Sequence, residues 1–336
     1  MRRLVGSRGA TGDPLLSVIV PAFDIEDYLD DCLASVSNST FSDCEVIVVD
    51  DGSTDATAAT AQGWASRDRR FQVIHQENHG LGHARNTGLR ASRGRYLAFL
   101  DGDDLVPPDA YAAMVGSLGS TGSEIAAGAV LRMRRNGKLR RTSMHRGIYT
   151  ETRLATNAER HPALMRDIVV TNKLWRRDAW FAKGRWFPEG VFYEDIAIAV
   201  LGVAEASSID VLSTPVYIWR QRDPGSPSIT QDRTNIRHVR DRLTTVTFVS
   251  RALQGRDRLK REYDANVFGK DLMIFLKVLP RVDDAYRREA ALLTRRFIET
   301  AHPEARSSLD AADDMKLGLL LDEDFGALVA LLEAGD

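Results

Sequence analysis

The sequence predicts an α/β protein in which a doubly wound mixed sheet is followed by a mainly helical region. Two observations carry this prediction. Short β-branched runs alternate with helical patterns in the first hundred residues, and beyond residue 231 long arginine-rich helical patterns replace the strand patterns. Short connections between strands and helices are typical of parallel βαβ units. We therefore expect a tail at 1–14, the sheet domain at 15–230 and a helical region at 231–336.

Four buried strands and the helices between them make up the first part of the predicted sheet. The strands are predicted at 15–23, 45–50, 71–76 and 95–100, and the helices at 26–36, 54–67 and 81–91. The strand patterns show little polar alternation, as expected for strands that are covered on both faces.

The elements that follow mix both types. After a helix at 107–116, the patterns predict a strand at 124–131, a basic turn at Asn136-Gly137 with a return strand, a helix near 157–166, a further segment at 171–180, a helix at 194–206 and a strand near 216–220. Beyond residue 231 the patterns indicate helices.

Composition excludes several classes of protein. Of 336 residues, 43% are hydrophobic and 27% are charged, which is typical of a globular domain. The 45 basic and 47 acidic residues give a net charge of −2, so no global basic field favours nucleic acid. Cys32 and Cys44 are too few for a disulfide framework, and we expect both to be buried thiols.

No segment has the pattern of a signal peptide or a membrane span. The apolar stretch 15–23 is far shorter than the about 20 residues that cross a bilayer. The apolar run 317–332 is interrupted by three acidic residues, Asp322 to Asp324. We expect a cytoplasmic protein, and peripheral association with the inner face of the cell membrane stays open.

Carboxylates follow three of the four predicted strands. They are Asp24 after the first strand, Asp50-Asp51 after the second and Asp101-Gly102-Asp103-Asp104 after the fourth. Ligands of doubly wound sheets bind at the carboxyl ends of the strands. Clustered carboxylates are costly unless a cation or hydrogen-bond donors neutralise them. We therefore expect a cation and a ligand at this edge.

Asp101-Gly102-Asp103 has the spacing of a divalent-metal site. Two carboxylates can hold Mg²⁺ or Mn²⁺ while phosphate and water oxygens fill the other positions. The glycine lets the backbone approach a ligand closely. The alternative is an Asp-rich turn before the helix at 107–116. The other acidic strand ends favour the metal.

Asp51 and Phe23 have the chemistry of a nucleoside site. A carboxylate can accept the imide N–H of a uracil or a ribose hydroxyl, and an exposed aromatic ring can stack on a base. The structural alternative for this segment is an N-cap formed by Ser53 or Thr54.

The segment 79–86 (HGLGHARN) is a glycine-rich helix entry. Such an entry can present backbone N–H groups to a phosphate. It fits neither the dinucleotide fingerprint nor the P-loop. Arg85 and Asn86 in the first turns could reach a diphosphate, or they could be ordinary polar residues of a helix surface.

Glu194-Asp195 follows an aromatic-rich stretch at 186–193 and begins an apolar helix. The helix dipole alone favours acids at this position. A carboxylate walled by aromatic rings also has a raised pKa, which suits a general base.

Two basic segments could bind anions. Arg220 and Arg222 enter a loop rich in proline, glycine and serine, which could close over a diphosphate or be a plain linker. The stretch 132–146 contains seven lysines and arginines in fifteen residues. It is either a solvated hairpin or a contact for an anionic acceptor, such as a phosphate-bearing polymer or a lipid headgroup.

Four ordered motifs resemble those of family 2 glycosyltransferases, which have the GT-A fold. They are SVIVPAF at 17–23, VVDDGSTD at 48–55, ARNTG at 84–88 and LDGDD at 100–104. NKLW at 172–175, Glu194-Asp195 and the arginine-bearing loop resemble the subgroup that builds bacterial capsule, exopolysaccharide and wall teichoic acid. The resemblance covers roughly 15–230.

The resemblance implies a role for each matching residue. The nucleotide-sugar contacts would be Pro21, Phe23, Asp24, Asp51, Arg85, Asp101, Arg220 and Arg222. Asp101 and Asp103 would bind the metal, and Asp195 would be the catalytic base. Glu194, Lys173 and Asp104 would contact the acceptor or support the site.

The chain departs from the family pattern at two points. Phe23-Asp24 stands where Tyr-Asn is common, which removes a hydroxyl and adds a charge. No histidine lies between residues 221 and 230, where some relatives supply a third metal ligand.

The resemblance implies an inverting glycosyltransferase that uses Mn²⁺ or Mg²⁺. Its donor would be a nucleotide-diphosphate sugar, with UDP as the expected nucleotide, and its acceptor a hydroxyl of a cell-surface glycan, a polyol-phosphate or a lipid-linked chain. The alternative is a non-catalytic sugar-nucleotide or glycan-binding subunit with the same fold, which would release no UDP. The helices at 231–336 could dock on the sheet domain, form a homo-oligomer or guide a polymer.

Overall fold

The computed structural model describes residues 12–142, 145, 147–222 and 233–334. Most of the predicted tail at 1–14 and nearly all of the predicted loop after Arg222 therefore lie outside the described residues.

The first half of the sheet domain has the predicted strands and helices. They are β1 (Leu16–Ala22), α1 (Glu26–Ser37), β2 (Cys44–Asp50), α2 (Thr57–Arg67), β3 (Phe71–His75), α3 (Leu81–Ala91), β4 (Tyr96–Phe99) and α4 (Ala110–Thr121). The predicted alternation of strands and helices is therefore confirmed. β1, β2 and β4 are buried on both faces, as their unbroken apolar patterns indicated.

The second half of the domain is more irregular. It contains β5 (Ile125–Met133), β6 (Leu139–Arg141), β7 (Arg153–Thr156), β8 (Lys173–Arg176), α5 (Arg177–Ala182), α6 (Asp195–Glu205) and β9 (Ile209–Arg220).

Two predictions in this half were wrong in extent. The helix expected at 157–166 is only a 3₁₀ turn, Pro162–Arg166. β9 begins at Ile209 rather than near 216. The sequence pattern did not indicate the start of β9, because Asp210 is a charged residue within it. In the structure Asp210 is buried and accepts hydrogen bonds from the hydroxyls of Ser117, Thr121 and Ser123. The pattern also gave no signal for β7.

The region after residue 233 is helical, as predicted. It contains α7 (Ile236–Ala252), α8 (Asp257–Asn266), a π-helical turn (Val267–Leu272), α9 (Met273–Leu276), α10 (Asp284–Thr300), α11 (Ala311–Leu321) and α12 (Phe325–Ala334). Among the helices that the structure describes, none combines the length and apolar content that a bilayer crossing requires.

The strands form one mixed sheet in the order β3-β2-β1-β4-β8-β5-β9-β7, and β6 pairs with β5. β1, β2, β3 and β4 are parallel. β8 runs antiparallel between β4 and β5, so β5 and its parallel partner β9 have the same direction as β4. The carboxyl ends of β1, β2, β4, β5 and β9 therefore lie at one edge.

The helical region and the sheet share a hydrophobic core. One buried cluster includes Ile19 of β1, Trp175 of β8 and Val200 of α6 together with Leu243 of α7 and Phe297 of α10. Burial of apolar surface between them fixes α7 beside α6, and α6 begins at the Glu194-Asp195 pair. The boundary at residue 231 stays a prediction.

Candidate active site at the carboxyl edge of the sheet

Asp51 closes the end of β2 against the loop that enters α3. Its buried carboxylate accepts hydrogen bonds from Gln76 Nε2 at 2.7 Å, His79 N at 3.0 Å and Gly80 N at 2.8 Å. A carboxylate has about four acceptor positions. Asp51 therefore mainly orders this loop, and about one of its acceptor positions remains for a nucleoside.

Phe23 and Asp24 end β1 on the same edge. Phe23 is 43% exposed, so part of its ring is accessible to a ligand. Asp24 adopts a positive φ of 46°, and its carboxylate accepts the Thr54 N–H at 2.8 Å. The Ser53 hydroxyl accepts the Asp24 N–H at 3.2 Å and does not cap α2, whose N-cap is Ala56. Asp24 thus braces the loop after β2.

Pro21 is buried near the end of β1, beside the turn that carries the acidic residues. A Cβ on Gly102 would lie 3.0 Å from the Pro21 carbonyl oxygen and 2.4 Å from Ile25 Cδ1. A side chain between Asp101 and Asp103 would therefore crowd the end of β1 and the start of α1.

An arginine or another donor neutralises each carboxylate after β4. Asp101 Oδ1 accepts from Arg85 Nη2 at 2.6 Å, and Asp103 Oδ2 accepts from Arg222 Nε at 2.6 Å. The chain's own arginines thus already offset much of the charge for which the sequence argument required a cation.

Asp104 lies beneath this pair of acids and is fully buried. It accepts from the Tyr217 hydroxyl at 2.6 Å and from the Arg220 N–H at 2.7 Å. Burial, with Asp103 and Asp101 nearby, raises the pKa of Asp104 well above its usual value. Asp104 therefore supports the site by tying the turn after β4 to β9.

Asp101 and Asp103 fit a divalent cation that keeps several other ligands. The Asp101 side chain is 34% exposed, so it retains oxygen surface beside its bond to Arg85. Among the described residues, no group of three or more His, Cys, Asp or Glu side chains could hold a metal ion. The pair matches the way Mg²⁺ is held by one or two carboxylates plus phosphate oxygens and waters.

Arg85 lies inside the protein rather than at its surface. Its side chain is 2% exposed and pairs with both Asp101 and Glu194. Although burial alone would lower it, Asp101 and Glu194 hold the pKa of Arg85 above its usual value. Arg85 therefore joins the β4 turn to the start of α6, and its contact with a diphosphate stays a prediction.

Asn86 and Gly82 of α3 hold the segment 186–195. Asn86 donates from Nδ2 to the Phe187 carbonyl at 2.9 Å and accepts the Phe187 N–H at 2.9 Å. A Cβ on Gly82 would lie 2.1 Å from the Pro188 carbonyl oxygen. Asn86 therefore positions this segment, where the sequence had suggested a diphosphate contact.

Helix α7 holds the same segment from the other side. The Asp241 carboxylate accepts the Phe192 N–H at 3.0 Å, and the His238 ring stacks on Phe192 with centroids 4.3 Å apart. Arg242 lies 4.8 Å from the Tyr193 ring centroid, and Tyr193 has a φ of 60°. Sequence reasoning missed these residues because their patterns are those of an ordinary amphipathic helix.

Glu194 and Asp195 differ in their bonding. Burial, with Asp195 beside it, raises the pKa of Glu194 to about 7 even though Glu194 pairs with Arg85. Burial also raises the pKa of Asp195, and Asp101 adds to the rise while Arg85 opposes it. Among the described residues, no other side chain donates a hydrogen bond to the Asp195 carboxylate. Asp195 is therefore the carboxylate of the pair that retains acceptor capacity.

Lys173 lies inside the protein. It is fully buried, and its Nζ lies 2.8 Å from Asp167 Oδ2, while His145 Nε2 lies 3.0 Å from the other oxygen of Asp167. Burial lowers the pKa of Lys173 against the attraction of Asp167. Of the two roles that the resemblance allowed, acceptor contact or support, the placement of Lys173 fits support.

Arg220 presents unused donors at the end of β9. It is 9% exposed, and its Nη1 donates to Asp31 at 3.0 Å. Its Nε and Nη2 are buried and have no partner among the described residues. Leaving such donors unpaired is costly, so an anion that reaches them would be stabilised.

Residues 17–180 match Glycosyl transferase family 2. The chain therefore carries a family 2 glycosyltransferase domain. The glycosyltransferase EpsJ of Bacillus subtilis is 33% identical over 215 residues, which are 62% of this chain and 61% of EpsJ. The chain thus spans less than two thirds of the length of that relative.

Solved structures of glycosyltransferases share the fold. S. aureus TarS 1–349, in complex with UDP-GlcNAc, has a TM-score of 0.74 at 19% identity. The match covers 95% of this chain and 90% of the TarS chain. The mannosyltransferase PcManGT of Pyrobaculum calidifontis, in complex with GDP-Man and Mn²⁺, has a TM-score of 0.54 at 17% identity; the match covers 96% of this chain and 86% of PcManGT. The predicted GT-A fold is confirmed.

Proposed function

We propose that this protein transfers a sugar, with inversion, from a nucleotide-diphosphate donor to an acceptor hydroxyl, and that Asp195 is the general base. One observation carries the proposal. Asp195 is a carboxylate with a raised pKa whose oxygens can still accept a hydrogen bond, whereas the neighbouring Glu194 forms a buried ion pair with Arg85. General bases are tuned in this way by burial.

The donor side lies at the ends of β1 and β2. The exposed Phe23 ring suits stacking on a base, next to Pro21 and to the remaining acceptor position of Asp51. The TarS structures with UDP-GlcNAc and UDP support a UDP-linked donor.

The diphosphate would lie over the turn after β4. The unpartnered donors of Arg220 and the guanidinium of Arg222 are the chain's own cationic groups for it. Asp101 and Asp103 would hold Mn²⁺ or Mg²⁺, which when bound neutralises charge on the diphosphate, and PcManGT with Mn²⁺ supports this assignment.

The proposed reaction assigns a role to each of these groups. Asp195 accepts the proton of the acceptor hydroxyl while the acceptor oxygen forms its bond to the anomeric carbon. The bond between that carbon and the diphosphate oxygen breaks on the opposite face, and the nucleoside diphosphate leaves. Arg220 and Arg222 stabilise the charge that develops on it, where electrostatic stabilisation has its largest effect.

A donor panel tests the proposal. Purified protein is incubated with UDP- and GDP-linked sugars and Mn²⁺, and release of the nucleoside diphosphate is measured with and without candidate acceptors. Chelation of the metal should abolish release, and Mn²⁺ or Mg²⁺ should restore it. Asp195→Asn should lower transfer by about 10²–10⁴ and leave donor affinity unchanged.

Asp257→Asn is the matched control, because Asp257 is an exposed aspartate at the first position of another helix, α8. Wild-type rates in Asp195→Asn would show that another group is the base. Donor binding without release by the wild-type protein, across the panel and all acceptors, would favour the non-catalytic binding subunit.

A further inference from the structure

We propose that the β5–β6 hairpin, residues 132–141, binds an acceptor chain that carries repeated negative charges. The inference rests on the proposed function and names the chemical class of its acceptor.

The hairpin is positively charged and has no acids of its own. No Asp or Glu occurs between Glu124 and Glu151. The strand register places Arg132 directly opposite Arg140. Like charges opposite each other on paired strands destabilise a hairpin. An anion bound along this surface would offset that repulsion.

The exposed basic side chains of the hairpin are available to a ligand. Arg134, Lys138 and Arg140 are exposed and form no ion pair with any residue that the structure describes. Their charges therefore face solvent, where a chain with regularly spaced anionic groups can contact several of them together.

The hairpin starts beside the candidate donor site. Met133 pairs with Arg220 across β5 and β9, and Arg132 lies 4.0 Å from the Trp219 ring centroid. Arg135 Nε donates to the Arg222 carbonyl at 3.3 Å, and the Arg222 side chain pairs with Asp103. A chain bound on the hairpin would therefore continue into the site.

The shape and composition of the hairpin favour a soluble polyanion over a membrane. The turn is closed by a hydrogen bond from Arg134 N to the Lys138 carbonyl at 3.0 Å, with Gly137 at a φ of 74°. Leu139, 47% exposed, is the large apolar side chain that this hairpin presents to solvent. Surface insertion into a bilayer requires a broader apolar face.

Polymer binding tests the proposal in the full chain. The probes are fluorescently labelled inorganic polyphosphate and labelled polygalacturonate, titrated at low and high salt. Arg134→Gln/Lys138→Gln/Arg140→Gln should weaken polyphosphate binding about tenfold or more at low salt. The difference should shrink at high salt, because the screening length falls from about 10 Å at 0.1 M to about 3 Å at 1 M.

The control is Arg251→Gln/Arg288→Gln/Arg296→Gln, which removes the same charge from exposed positions of α7 and α10. It should bind polyphosphate within about twofold of wild type. Donor-only release of nucleoside diphosphate should be the same in both triple variants, so that a failure here is distinguishable from a failure of the proposed function.

Each result decides the question. Loss with both polymers supports an acceptor recognised by charge alone, and loss with polyphosphate only supports a phosphate-bearing chain. Equal loss in the two triple variants overturns the proposal in favour of a net-charge effect. Unchanged polymer binding together with lost binding to phosphatidylglycerol vesicles overturns it in favour of a membrane contact.

Discussion

Asp51 and Asp101 follow central strands of the sheet, whereas Asp195 ends a segment, 186–195, that contains no strand. The two acids on the donor side are placed by β2 and β4, which pair on both sides with parallel or antiparallel neighbours. The segment that carries the proposed base is instead held by side chains of α3 and α7, Asn86 and Asp241.

The two halves of the candidate site, the acids after β2 and β4 and the segment 186–195, therefore depend on different interactions. Backbone hydrogen bonds of a sheet position the donor side, so single side-chain changes there leave the strands in place. The base side, which is the segment 186–195 with Asp195, depends on a few contacts between residues distant in sequence, and one substitution can displace it. Arg85 connects the halves, because it pairs with Asp101 on one side and Glu194 on the other.

The largest expected effect is the loss of this connection. Arg85→Met leaves two carboxylates without their buried cation, which typically costs about 3–5 kcal/mol. Urea unfolding measures the change. Arg261→Met, which breaks an exposed pair with Glu304, should cost less than about 1 kcal/mol. Adding Glu194→Gln to Arg85→Met should recover part of the loss, and no recovery would contradict the assignment of the cost to the unpaired acid.

Gly82→Ala should displace the base side alone. The added Cβ collides with the Pro188 carbonyl, and a shift of about 1 Å at a reacting group can cost about 10² in rate. We expect transfer to fall by about that factor while the affinity for UDP, measured by calorimetry, is unchanged. Gly63→Ala on α2, where a Cβ has open space, is the control. Equal loss of UDP affinity in Gly82→Ala would show that the halves are not independent.

Asp241→Ala should have a smaller effect on the same segment. It removes the acceptor of the Phe192 N–H, a hydrogen bond to a charged group worth about 1.5–3 kcal/mol. If part of this energy orders the segment for reaction, kcat falls by about tenfold while the KM for the donor stays within about twofold. A change confined to donor KM would contradict a role in placing Asp195.

The smallest expected effect is on the pH dependence. A base must be deprotonated, so the rate should rise with pH through the pKa of Asp195, which burial raises above the usual aspartate value of about 4. Glu194→Gln removes an acid that is coupled to Asp195 and leaves Arg85 with one acid fewer to compensate, so this acid limb should shift to lower pH by less than about one unit. Initial rates between pH 4 and 9 measure it, and a shift to higher pH would contradict the coupling.

The stability contribution of Glu194 has the opposite sign to that of a usual salt-bridged acid. Its pKa in the folded protein, about 7, lies above its unfolded value, so the folded state binds more protons between these values. Its contribution is therefore fully present below the unfolded pKa and is lost as the pH rises through about 7.

The donor side could be predicted from sequence in some detail. Asp51 and Asp101 directly follow buried strands, and parallel strands bring their carboxyl ends to one edge whatever the loops do. The sequence did not reveal that arginines neutralise Asp101 and Asp103. The pairing of Arg222 with Asp103 depends on β9 lying in the same sheet as β4, which no local pattern indicates.

The base side was predicted only as an acidic pair at the start of a helix. Glu194 and Asp195 are neighbours of the same chemical type, and their sequence positions do not tell which is consumed by Arg85. The holding residues His238 and Asp241 lie on a helix whose pattern signals only burial of one face.

The sequence by itself determined the alternating strands and helices, the edge at which the acids meet and the family of the domain, because periodicity and short motifs are local properties of the chain. The tertiary structure alone decided which acid keeps its acceptor capacity, that Arg85 and Lys173 lie inside, and that α7 holds the base segment. These depend on burial and on side-chain contacts between residues far apart in sequence, and a residue's desolvation is set by everything packed around it.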